Sequence, residues 1–331
     1  MLSALNLYKS YSINHFTIDK VSITLKEGEM NAIVGESGSG KTTLLNLLSG
    51  LLEPDKGEIF LNKNKIQPTS EQLIPGHPKI KLVAQDFNLF PNLTIRENIL
   101  YSIRFYEKKY QNFRVDYLID NFGLSSIQNH LPKDVSGGEK QRTAIAQSIA
   151  DEPSVLLLDE PFNQLDVQNK LLLKREINHL VKNEKMACAF VTHDINDALS
   201  GSDYISIIRN GKIIQTDTPE RIYSNPLNDY VANISGICTI INSNLLEKYF
   251  NEKDFLIFKN KKLLIRPENI FLKANSKVKG IVKEVLFLGD RHQVGILISG
   301  LPILCAYTNK KIILNEQVSI EFDIENIKIL N

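Results

Sequence analysis

Gly35-Glu36-Ser37-Gly38-Ser39-Gly40-Lys41-Thr42 has the form G-x-x-x-x-G-K-[ST], and its surroundings decide how the chain is read. Just before it, Met30 to Val34 is a compact apolar run of strand character. Just after it, Leu44, Leu45, Leu47, Leu48 and Leu51 recur at helical spacing and are expected to face inward, with Gly50 and Pro54 as stop signals. Glycines between a strand and a helix let successive backbone N–H groups turn towards phosphate oxygens, and the helix start adds the positive end of its dipole. In such a loop Lys41 reaches the β- and γ-phosphates of a nucleotide, and the Thr42 hydroxyl can ligate Mg²⁺. A flexible Gly/Ser turn would need neither the strand nor the helix.

A second stretch supplies carboxylates. In Val155-Leu156-Leu157-Leu158-Asp159-Glu160, four apolar residues read as a buried strand that delivers two acids to its C-terminal end. Ligands sit at that end of open α/β sheets. Asp159 is placed to hold Mg²⁺, through water or directly, and Glu160 to polarise an attacking water. Further apolar runs at Ile80–Ala84, Ala187–Val191 and Tyr204–Ile208, with helical patterns between most of them, predict a largely parallel, covered sheet. Val21, Ile23 and Leu25 alternate as a half-buried strand, and Asn210-Gly211 between two Ile pairs predicts a tight hairpin.

The chain has 331 residues, 43% hydrophobic and 23% charged, enough for a large core and for two domains. A formal net charge of +1 removes any case for bulk attraction to nucleic acid or to an anionic bilayer. Cys188, Cys238 and Cys305 lie far apart without a C-x-x-C pair, which excludes a zinc ribbon or a disulfide framework. The first residues lack the pattern of a signal peptide, and no run is long enough for a membrane helix. A soluble, cytoplasmic α/β protein is expected.

Between the two chemical stretches lies Val135-Ser136-Gly137-Gly138-Glu139-Lys140-Gln141-Arg142. A serine cap and two glycines start a helix whose inner face carries Ile145, Ala146 and Ile149. In this order the three segments resemble the nucleotide-binding subunit of an ATP-binding cassette (ABC) transporter, whose signature is usually L-S-G-G-Q; Val135 and Glu139 are substitutions in it. The resemblance implies an α/β P-loop NTPase cassette with a helical subdomain at about 92–150, spanning residues 1–235. It places Gly35, Glu36, Ser37, Gly38, Ser39, Gly40, Lys41, Thr42 and Thr43 on the phosphates of ATP, and Thr42, Gln85 and Asp159 around Mg²⁺. Tyr11 matches the aromatic that stacks on adenine, with Tyr8 as a nearby rival. Glu160, Gln85 and His193 match the catalytic glutamate, the glutamine that senses the membrane partner and the switch histidine. Ser136, Gly137 and Gly138 match the signature that meets ATP from the opposite subunit. Asn163-Gln164-Leu165-Asp166 matches the loop that crosses to that subunit, where the family more often has Ser-Ala or Ser-Asn before the Leu-Asp pair. The segment Gln85–Leu93 resembles the partner-facing loop and is expected to expose Phe87, Leu89 and Phe90.

From about Ser235 the texture changes. After a helical-looking Leu245–Phe250, strand candidates follow at Phe255–Phe258, Leu263–Ile265, Ile281–Leu288, Val294–Ile298, Ile303–Ala306 and Val318–Phe322. They predict a small all-β domain over 236–331. Arg266-Pro267-Glu268 and Phe287-Leu288-Gly289 resemble the oligonucleotide-fold-like TOBE domain of importer ATPases, and Tyr223–Pro226 and Tyr230–Ala232 the linker into it. That domain implies a regulatory or dimer-bracing role and an importer, with ferric iron or polyamine ranked first among solutes. The implied partners are a second nucleotide-binding subunit, a homodimer being favoured, together with transmembrane permease subunits and a separate solute-binding protein, at the cytoplasmic face of the membrane and without nucleic acid. An exporter or lipoprotein-release ATPase would normally end near residue 230. A soluble, non-transport ABC ATPase would carry two cassettes or a long coiled-coil insertion.

Overall fold

The computed structural model of the chain describes residues 1–12, 15–71, 75–163, 165–249, 258–274 and 276–330. It divides into two compact units, Met1–Pro219 and Glu220–Asn331. Among the described residues the first unit opens with β1 (Leu2–Ser12), β2 (His15–Leu25) and β3 (Met30–Val34), then α1 (Lys41–Leu48). β4 (Lys56–Leu61), β5 (Asn64–Lys65) and β6 (Ile80–Val83) follow, and then the helices α2 (Ile95–Tyr101), α3 (Lys108–Asn121) and α4 (Gly137–Ile149). The unit closes with β7 (Val155–Asp159), α5 (Val167–Asn183), β8 (Ala187–Thr192), α6 (Ile195–Gly201), β9 (Tyr204–Arg209) and β10 (Lys212–Asp217).

A six-stranded sheet runs β10-β9-β3-β8-β7-β6, parallel apart from the β9–β10 hairpin. β3 and β8 are buried along their whole length, as continuous apolar runs in a covered parallel sheet should be. The hairpin turns on Asn210 (φ 48°) and Gly211 (φ 74°), the left-handed pair that a type I′ turn demands. A second sheet, β2-β1-β4-β5, is antiparallel, and Val21, Ile23 and Leu25 of β2 face its core. In α1, Leu44, Leu45, Leu47 and Leu48 are buried as the spacing predicts. Leu51 is not: the helix stops at Leu48, Gly50 turns the chain at φ 74°, and Leu51 is left 46% exposed.

The second unit begins in α7 (Pro219–Ser224) and α8 (Asp229–Ile234), followed by β11 (Thr239–Asn242), β12 (Lys262–Ile265) and β13 (Ile270–Leu272). β14 (Val278–Phe287), β15 (His292–Leu297), β16 (Leu304–Thr308), β17 (Gln317–Phe322) and β18 (Lys328–Leu330) complete it. They form a three-stranded sheet β11-β12-β18 and a five-stranded sheet β13-β17-β14-β15-β16. The edge strands β13 and β16 of the larger sheet touch, so it curls into a near-barrel around Val282, Val294, Ile296, Leu304 and Ile320. Of the strand expected at Phe255–Phe258, residues 255–257 lie outside the described residues, as does Phe250 of the expected helical stretch; Ser243–Tyr249 is a 3₁₀ turn.

The units part at Pro219, ahead of the boundary expected at 235, and Arg266 is the physical reason. Its guanidinium is 4% exposed and donates to the carbonyls of Tyr223, Ala232, Gly236 and Ile237 and to the Ser235 hydroxyl. The Tyr223 ring lies 4.1 Å from it, and the Tyr223 hydroxyl donates to Glu268 at 2.6 Å. The segment that reads as a linker is thereby wrapped around a side chain of the β-unit.

Candidate functional site

β3, the central strand of the first unit's large sheet, delivers the phosphate loop. Gly38 (φ 78°) and Gly40 (φ 102°) adopt left-handed backbone that side chains avoid, and a Cβ on Gly40 would lie 2.5 Å from the Thr17 carbonyl. A Cβ on Gly35 would meet the Ile208 carbonyl at 2.4 Å. The backbone path of the loop therefore depends on these glycines. Lys41, 7% exposed, donates through Nζ to the carbonyls of Gly35 at 2.8 Å and Glu36 at 2.9 Å. Burial pulls its pKa down, opposed by the charges of Glu160 and Asp159. α1 starts at Lys41 with no side-chain cap and no acid in its first turn, so its first N–H donors and its dipole are available to an anion. The Ser39 hydroxyl is buried and finds no partner among the described residues, a further orphaned donor in the loop.

β7 and β8 bring in the acids and the histidine. Asp159 pairs with Val191, so the ends of both strands lie side by side, next to β3. Burial raises the Asp159 carboxyl; a hydrogen bond from Thr42 and the charge of Lys41 counter it, and Glu160 reinforces it. Glu160 sits at φ 52°, a left-handed conformation costly for a glutamate, and its N–H donates to the Val191 carbonyl at 3.2 Å. Its Oε2 is hydrogen-bonded to Nδ1 of His193 at 2.8 Å and accepts from the Asn163 amide. Lys41, Thr42, Asp159, Glu160 and His193 are thus brought together by three adjacent strands. Val83 of β6 pairs with Leu158, which puts Gln85, two residues on and exposed, at the same sheet edge. Tyr11 lies near the end of the β1–β2 hairpin with its ring 66% exposed. Thr43, on α1, is half-buried.

The signature residues lie elsewhere. Ser136 caps α4, and its hydroxyl and N–H both donate to Glu139 Oε2, at 2.8 and 2.7 Å, in a reciprocal capping box. The S-x-x-E spacing was the sequence signal for that box, and it explains why Glu139 suits a position where glutamine is more usual. A Cβ on Gly138 would press on Leu165 at 2.9 Å, and buried Gln141 donates to the Pro161 carbonyl, tying α4 to the turn after the carboxylates. Asp166 caps α5, accepting from the Asn169 N–H at 2.9 Å; Gln164 lies outside the described residues. The contact of Gln141 joins residues 20 apart and so leaves no local spacing to read, and that of Asn163 depends on the turn it closes with Glu160.

The expected partner-facing loop needs a correction. Phe90 is exposed, but Phe87 and Leu89 are half-buried. Buried Asn98 of α2 accepts from the Phe90 N–H at 2.8 Å and donates to the Leu93 carbonyl at 2.9 Å, folding the segment back onto the helix. The open aromatics come later, at Phe105 (87% exposed) and Phe113 (68%).

No group of three or more His, Cys, Asp or Glu residues among the described residues could cage a metal. One carboxylate and one hydroxyl, the pair Asp159 and Thr42, instead suit a Mg²⁺ that takes its other oxygens from water and phosphates.

A buried lysine, an uncapped helix start and two consecutive carboxylates at the end of one strand define a P-loop nucleoside triphosphatase of the cassette type. Comparison with known proteins agrees: the ABC transporter family matches residues 18–163, and the TOBE domain family matches residues 263–330. The chain is an ABC transporter ATPase, an ATP-binding domain followed by a TOBE domain in the combination typical of importer ATPases. Among solved structures it is similar to the ATP-binding cassette MJ0796, described as dimeric and bound to ADP and Pi, at 29% identity and a TM-score of 0.58, covering 66% of this chain and 99% of that one. It is also similar to cbiO1 from Clostridium perfringens, described as part of the ABC transporter complex cbiONQ, at 25% identity and a TM-score of 0.62, covering 67% and 89%. No helix among the described residues is long and apolar enough to cross a membrane.

Proposed function

We propose that in this ATP-hydrolysing subunit of an ABC importer the cluster of Lys41, Thr42, Asp159, Glu160 and His193 is the hydrolytic centre, and the hydrogen bond between His193 and Glu160 carries this reading. The loop N–H groups and Lys41 hold the β- and γ-phosphates of ATP. Thr42, Asp159 and Gln85 hold Mg²⁺, which neutralises charge on the phosphate oxygens when bound. Glu160 orients the attacking water and takes up its proton. His193, anchored through Nδ1, presents Nε2 to the γ-phosphate. Tyr11 stacks on the adenine.

The signature at Ser136–Gly138 belongs to a helix start bonded within itself, and each chain has one signature and one phosphate loop. Two copies facing each other would let each signature close the other's site, with Asp166 beside the junction. The dimeric state described for MJ0796 supports that arrangement. Permease subunits would dock near exposed Phe90 at the cytoplasmic face of the membrane, with a separate binding protein delivering the solute. Ferric iron and polyamines rank first among solutes. Stimulation of ATP hydrolysis by each, in a complex reconstituted with its permease, tests that ranking, and stimulation by a different solute alone overturns it.

Glu160→Gln tests the centre. It should keep ATP binding and lower turnover by about a thousandfold, because the water loses its orienting carboxylate. Near-normal hydrolysis by that variant removes Glu160 from the mechanism.

A further inference from the structure

Asn163 is where the chain departs from the serine more usual three residues beyond the second carboxylate, and it is also the side chain that touches Glu160. Its backbone N–H approaches the Glu160 carbonyl at 3.3 Å, closing a turn that brings the side chain back over the carboxylate. An ionised carboxylate only accepts, so the amide must present its nitrogen, and it does so to Oε2, the oxygen already engaged by His193. Among the described residues no hydrogen bond reaches Oε1. The Glu160 backbone is held at φ 52° and its side chain is only 18% exposed, so two donors on one oxygen fix the carboxylate plane. A serine hydroxyl stands one bond closer to its backbone and would leave the carboxylate to swing towards it.

We propose that Asn163 is a positioning residue for ATP hydrolysis, which together with His193 pins Oε2 of Glu160 so that Oε1 faces the attacking water. The inference rests on the reading of Glu160 as the water-orienting group. Steady-state and single-turnover hydrolysis by the full-length chain test it, alongside equilibrium binding of a fluorescent ATP analogue.

Asn163→Ala should lower kcat about tenfold with KM and ATP affinity unchanged, the signature of a displaced catalytic group. Asn163→Asp, the same size but with a carboxylate against a carboxylate, should lose more, and Asn163→Ser should recover part of the alanine loss. In a Glu160→Gln background neither Asn163→Ala nor Asn163→Asp should cost anything further, because both act through the missing carboxylate. The inference is overturned if both variants stay within about twofold of wild type, if the loss is equally large in the Glu160→Gln background, or if weaker ATP binding accounts for it. Near-normal turnover of Glu160→Gln alone overturns the reading of Glu160 itself, and this inference with it.

Discussion

Lys41 in the first unit and Arg266 in the second are both buried cations, and they are buried for opposite ends. Arg266 has both terminal guanidinium nitrogens on acceptors of its own unit, four carbonyls and a hydroxyl, with an aromatic ring over its face. Lys41 has two carbonyl partners, and around it stand an uncapped helix start, an orphaned serine hydroxyl and a strained glutamate. Arg266 leaves only Nε without a partner among the described residues, and a buried charge so largely satisfied holds a fold together. One set among unspent donors and strained backbone is prepared for a ligand.

That contrast can be broken most directly at Lys41. Lys41→Ala should weaken ATP binding by a hundredfold or more, since roughly 3 kcal/mol of charge-assisted contact to phosphate is lost. It should leave thermal stability nearly unchanged or slightly raised, because a partly satisfied buried cation is removed. Equilibrium nucleotide binding and calorimetry on one preparation measure both, and a lysine that matters only to stability would invert the result.

Arg266→Ala should do the reverse. Four carbonyls and a serine hydroxyl lose their donor, and the second unit should lose about 3 kcal/mol or more of stability with nucleotide affinity kept. Arg266→Lys should not rescue it, because an ammonium lacks the planar fork of donors that reaches all of these acceptors. If nucleotide affinity falls as it does for Lys41→Ala, the division of roles between the two cations is wrong.

Glu176 sharpens the comparison with a smaller effect. Its Oε2 is buried without a hydrogen-bond partner among the described residues, and burial pushes the carboxyl up to about 7, against the opposing charge of Arg142. A folded-state pKa above the unfolded value means the folded chain prefers the neutral acid. The penalty for ionising it is absent below about pH 4.5 and grows as pH rises towards 7. Glu176→Gln should therefore raise the Tm by a few degrees at pH 8 and leave it unchanged at pH 4.5, as read by thermal melts. A gain that is the same at both pH values would mean that ionisation is not the cause.

Much of the first unit was legible because its chemistry is written in contiguous residues. Loop, strand and helix start are fixed by the order of neighbouring residues: glycines at left-handed positions, a leucine face, four apolar residues ending in Asp159 and Glu160. The second unit was legible as a β-domain but not in its details. β11, β13 and β18 are short strands with little periodicity of their own, and pairing with longer neighbours defines them. Leu51 was misplaced because a leucine at helical spacing does not reveal that the backbone has already turned at Gly50.

What the amino-acid order determined by itself is the set of local motifs: the phosphate loop, the acidic strand end, the capped signature helix and the hairpin at Asn210-Gly211. Each is specified by backbone conformations and spacings within about ten residues. Only the tertiary structure decided which distant groups meet. Parallel pairing of β7 with β8 sets His193 beside Glu160, and Arg266 draws residues 223–237 into the second unit. Those contacts depend on strand register and on the reach of single side chains, and neither leaves a periodic trace along the chain.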